Sequence, residues 1–102
     1  MEAILTGEPL PAQRAYDLGL VNRLVGPGQA VEEATRLAEQ ICAVAPLAVR
    51  ASRKVVLASA YEDDETLKKM TTEGFAGILG SEDTKEGLSA FIEKRAPVWK
   101  GR

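Results

Sequence analysis

The sequence predicts an all-α fold of about five helices with at most one short isolated strand. Three observations carry that expectation. Apolar residues recur at three- and four-residue steps along most of the chain, turn-forming Gly and Pro fall at regular intervals, and the one extended stretch has no partner strand. With 102 residues and 10.9 kDa, a single domain over residues 1–102 is expected.

The elements follow in order. Met1 to Leu5 reads as the last turns of a helix with nothing to cap its start, stopped at Thr6-Gly7, where Gly7 suits the left-handed position after a helix end. Pro11 can sit in the first turn of a short helix in which Ala12, Ala15, Tyr16 and Gly19 share a face, and Gly19 supplies the stop. Leu20 to Val25 is extended and half apolar, and Gly26-Pro27-Gly28 ends it; it reads as a connector or a lone strand.

From Gln29 the pattern is strongly amphipathic. Val31, Ala34, Leu37, Ala38 and Ile41 lie on one side, and Glu32, Glu33, Arg36, Glu39 and Gln40 on the other. Pro46 ends that helix and opens the next, whose inward residues are expected to be Leu47, Ala48, Ala51, Val55 and Ala58. Glu62, Asp63, Asp64 and Glu65 then precede a third long helix, where negative charge complements the positive end of the helix dipole. Its apolar stripe is Leu67, Met70, Gly74 and Ile78, with Phe75 and Leu79 beside it. Ser81 caps the last helix, with Leu88, Phe91 and Ile92 expected on its buried face and Lys94 and Arg95 at its end, before Pro97 stops it.

Charge and composition remove several function classes. Hydrophobic residues make up 45% and charged residues 27%, an ordinary globular balance. Thirteen basic against fifteen acidic residues leave a net charge of −2, so no global positive field exists to hold nucleic acid. The absence of histidine removes the commonest general base, the commonest metal ligand and every Ser-His or Cys-His pair. Cys42, the single cysteine, lies among Ala38, Ile41, Val44 and Ala45 and is expected to be a small buried apolar side chain. No apolar run approaches the ~20 residues needed to cross a bilayer, and no basic or apolar leader pattern opens the chain, so a soluble, cytoplasmic protein is expected, with no membrane partner.

Few residues point to chemistry. The glycines do not form a phosphate-cradling loop, since no Gly-Lys-Ser/Thr follows them and no parallel strand precedes them. The paired carboxylates fall at helix starts or on polar faces, so no catalytic residue and no metal ligand is assigned. The tail is more informative: Lys94, Arg95, Lys100 and Arg102 lie within nine residues with no acid after Glu93, beside Phe91 and Trp99. Ammonium groups bind phosphate as point charges and an aromatic face can stack on a base, so this pairing suits a nucleotide-like ligand head. The plainer reading is a basic helix end that complements its own dipole.

Several segments together resemble the enoyl-CoA hydratase/isomerase (crotonase) superfamily. They are Leu5-Thr6-Gly7, Ala12, Ala15, Gly19-Leu20-Val21-Asn22, Ala45-Pro46-Leu47-Ala48, Ser81-Glu82-Asp83, Glu86-Gly87, Ala90-Phe91, Glu93-Lys94-Arg95 and the tail from Pro97 to Arg102. The resemblance covers the whole chain. It implies the C-terminal helical region of such a protein, serving as active-site lid, subunit contact and part of the CoA site. The β-rich spiral core of the family, which supplies the oxyanion hole and the paired glutamates of hydratases, is not in this sequence. The parent reaction implied is hydration of 2-enoyl-CoA thioesters in fatty-acid metabolism, or isomerisation. The chain alone is expected to show no turnover, because a developing enolate needs preorganised donors. The uncapped start is expected to mark a cut through a helix.

By matching position, the resemblance makes Phe75 and Phe91 the aromatics and Lys94 the cation on the CoA head-group side. It implies a CoA thioester as substrate with no further cofactor, and a homo-oligomer, either a trimer or a dimer of trimers. A non-catalytic helical domain that binds its own copies or another protein is the alternative, because an orphaned apolar face needs cover.

Overall fold

A computed structural model describes residues 1–102 and contains six helices and no strand. They are α1 (Glu2–Thr6), α2 (Ala12–Asp17), α3 (Ala30–Cys42), α4 (Pro46–Ala58), α5 (Asp64–Leu79) and α6 (Glu82–Glu93). The all-α expectation holds, with six helices in place of about five. Leu20 to Val25 is a connector, because a lone extended segment has no neighbour to take its backbone hydrogen bonds. The chain forms two compact units, residues 1–36 and 37–102.

In the first unit the helix ends obey local rules. Gly7, at φ 71°, closes α1 and donates its N–H to the Ala3 carbonyl at 3.1 Å. Gly19, at φ 72°, closes α2, and the Leu20 N–H reaches the Ala15 carbonyl at 2.9 Å. No side chain caps the start of α1. Glu33, at the start of α3, pairs with both Arg23 and Arg36. The Arg23 hydrogen bond, reinforced by the charge of Arg36, holds the Glu33 carboxyl below its ordinary range.

In the second unit α4 packs on α5. Pro46 occupies the first turn of α4, and Leu47, Ala48, Ala51, Val55 and Ala58 are half-buried, as their spacing predicts. The facing stripe on α5 is Leu67, Met70, Gly74 and Ile78, also half-buried. A Cβ placed on Gly74 would lie 3.5 Å from the Ala51 Cβ, so two small residues mark the close approach of the two helices. Asp63 caps α5 by accepting the Thr66 N–H at 2.7 Å. Ser81 caps α6 through the Thr84 N–H at 3.1 Å, while the Thr84 hydroxyl donates back to the Ile78 carbonyl at 2.7 Å. A Cβ on Gly77 would meet nothing within 4 Å. Gly77→Ala is therefore expected to raise stability by about 1 kcal/mol through helix propensity, read as a higher urea midpoint at unchanged slope.

Burial departs from expectation on α6. Leu88, Phe91 and Ile92 are 62, 72 and 75% exposed, whereas Asp83 and Ala90 are the two fully buried residues of the chain. The periodicity identified the apolar face correctly, but the tail crosses the other face. Cys42 is likewise exposed, because the α3 face around it, including Ile41, is uncovered. The open Leu, Phe and Ile side chains each leave unrealised a large part of the about 1.5–3 kcal/mol that full burial would contribute.

Candidate ligand-binding site

The end of α6 and the tail after it carry the candidate residues. Asp83, in the first turn of α6, is 2% exposed and accepts two tail amides, Lys100 N–H on Oδ1 at 2.7 Å and Gly101 N–H on Oδ2 at 2.9 Å. Its own N–H donates to the Arg102 carbonyl at 3.2 Å. Glu86, the next acid on that face, accepts the Val98 N–H at 2.7 Å and both Nη atoms of Arg95 at 2.6 and 3.0 Å. The Trp99 indole N–H donates to the Ala43 carbonyl at 3.0 Å, and its ring edge lies so near Gly87 that an added Cβ would come within 3.2 Å. Gly101, at φ 74°, turns the chain beside Pro46. Residues 98–102 are thus a strap that fastens α6 to the bend between α3 and α4.

This strap redistributes the tail's positive charge. Arg95 is taken by Glu86 and Glu93, and Lys100 and Arg102 are both taken by Glu82. The paired guanidinium and the Val98 amide hold the Glu86 carboxyl down to about 2, and Lys100, then Arg102, lower Glu82. The expected cluster of four basic groups is therefore reduced to one, Lys94. Trp99 packs rather than offering a stacking face.

Lys94 follows α6 with φ 56° and ψ 37°, and is the chain's single non-glycine residue at positive φ. Its ammonium lies 4.3 Å from the centre of the Phe91 ring, on an exposed surface. The structure thus brings Lys94 and Phe91 together. Phe75 lies elsewhere, lining an apolar groove of about 350 Å³ between α4 and α5 with Val55, Val56, Met70 and Ile78. A point charge set on an aromatic face can hold an anionic, partly aromatic ligand. Sequence reasoning missed Asp83 and Glu86, whose partners lie 17 and 9 or more positions away.

Comparison with known proteins gives this surface a context. A family model described as enoyl-CoA hydratase/isomerase matches residues 1–102. A carnitinyl-CoA dehydratase of Salmonella typhi is 38% identical, the match covering 99% of this chain and 40% of the relative. Among solved structures, an enoyl-CoA hydratase from Mycobacterium tuberculosis H37Rv is 43% identical with a TM-score of 0.93, and a probable enoyl-CoA hydratase/isomerase from Mycobacterium abscessus is 46% identical with a TM-score of 0.91. Both matches cover 100% of this chain and 40% of the other. The chain thus spans about 40% of the length of the relatives it matches. One expectation is corrected by these matches: they give the family and the share of its length, and they do not support placing the chain as a C-terminal fragment.

Proposed function

The chain belongs to the enoyl-CoA hydratase/isomerase family, and on that premise we propose that it serves chemistry on CoA thioesters, with Lys94 and Phe91 receiving the adenosine 3′-phosphate end of CoA. The observation that supports this most is the pairing of charges at the tail: Arg95, Lys100 and Arg102 are neutralised by acids, while Lys94 is held over Phe91 with no acidic partner. A phosphate would meet the ammonium, and the ring would back it. Phe75, set in a different groove, is the weakest of the three proposed head-group residues.

The reaction proposed for the whole protein is a lyase reaction, hydration of a 2-enoyl-CoA or the reverse dehydration, with isomerisation the family's other outcome. No metal or cofactor beyond the CoA thioester is proposed, and residues 1–102 are taken as one helical domain without catalytic residues of its own. The uncovered apolar side chains support assembly with further copies, as a trimer or a dimer of trimers. No helix is long and apolar enough to cross a membrane, and a cytoplasmic setting is proposed.

Calorimetric titration of the chain with CoA tests the site. Lys94→Ala is expected to weaken CoA binding about fivefold, the scale of one exposed charge pair, and to leave 3′-dephospho-CoA unaffected. Equal CoA affinities for the two chains would refute the assignment.

A further inference from the structure

We propose that Glu86 is a positioning residue for Lys94: its grip on Arg95 and on the Val98 amide fixes the turn in which Lys94 adopts its left-handed backbone, and so sets the ammonium against Phe91. The inference rests on the head-group reading of Lys94 and goes beyond it. A left-handed backbone is unfavourable for a residue with a Cβ, and it persists only where the surroundings over-determine it.

Here the surroundings are visible. The Ala90 carbonyl accepts the N–H of both Lys94 and Arg95, the latter at 3.1 Å. That alone is the ordinary closure of a helix, which glycine serves best. What holds a lysine there is the neighbour on its far side. Arg95 is anchored to Glu86 by two hydrogen bonds of 2.6 and 3.0 Å, to Glu93 at 2.7 Å and to the Ala96 carbonyl at 3.2 Å. The same Glu86 Oε1 also takes the Val98 N–H at 2.7 Å, so one carboxylate pins the chain on both sides of Pro97. These contacts fix the backbone on either side of Lys94, whose ammonium lies over a ring three positions back. The coincidence is specific: the chain's one strained non-glycine backbone belongs to the one tail cation left without an acid.

The test combines two readouts on Glu86→Gln and on Arg95→Lys, the second of which keeps the charge and removes the two-pronged grip. The first is the Lys94 side-chain methylene proton resonances, which are expected to lie upfield in the native chain because the side chain runs over the Phe91 ring. The second is the ratio of CoA to 3′-dephospho-CoA affinity. Both variants are expected to lose the upfield shift and to lower the ratio from about fivefold to near one, with the affinity for 3′-dephospho-CoA unchanged. That last value shows that the rest of the surface is intact, which a general loss of fold would not leave. If the shift and the ratio survive in both variants, Glu86 does not position Lys94. A native chain that binds the two ligands equally refutes the head-group reading itself, before any variant is compared.

Discussion

Asp83→Ala is expected to free residues 98–102 and to lower stability by about 2–4 kcal/mol. The carboxylate is 2% exposed, and each of its two oxygens accepts one tail amide, from Lys100 and from Gly101. Truncation leaves those two N–H groups without an acceptor against α6, and a buried orphaned donor costs about 1–3 kcal/mol. Water can reach them only if the strap lifts, which in turn surrenders the Asp83 N–H to Arg102 carbonyl bond and the seat of Trp99. Urea denaturation checks the magnitude, and amide hydrogen exchange at residues 98–102 checks the mechanism. Unchanged protection there would show that the strap does not depend on Asp83.

Acid is expected to loosen the same strap by another route. Glu86 is held down to about 2 in the folded chain, first by the Arg95 guanidinium and then by the Val98 N–H, against an ordinary value of 4.5. A carboxyl depressed on folding contributes stability that is complete above its unfolded value and disappears as pH falls through its folded one. The contribution therefore begins to fall as pH drops toward 4.5 and is lost as pH passes down through about 2. Glu82, lowered by Lys100 and Arg102, adds to it in the same direction. Trp99, the chain's one tryptophan, lies in the strap, so its emission should move to the red across that interval and stay level from pH 6 to 9. Glu86→Gln should remove most of the transition. A native-like midpoint in that variant would count against Glu86 as its source.

What the sequence made legible was local. Gly7 and Gly19 as helix stops, Pro46 as a helix start, and Asp63 and Ser81 as caps depend on residues within one turn, so spacing alone finds them. The α4 and α5 stripes were legible for the same reason. Periodicity says which residues share a face and not what covers it, and this is why Leu88, Phe91 and Ile92 were expected inside while Asp83 and Ala90 are. An acid in the first turn of a helix reads as a dipole partner, and Asp83 fits that pattern until the distant tail supplies its real bonds. At the candidate site, Lys94 and Phe91 are three positions apart and their contact was legible. The neutralisation of Arg95, Lys100 and Arg102 was not, because their acids lie up to twenty positions away along a chain that must first double back.

The two attachments of the second unit are made of different chemistry, and temperature should separate them. α4 meets α5 through apolar contact, whose driving force fades on cooling, whereas hydrogen bonds and ion pairs fasten α6 to the strap and follow no such curve. Near freezing, the first junction softens while the second keeps its hold.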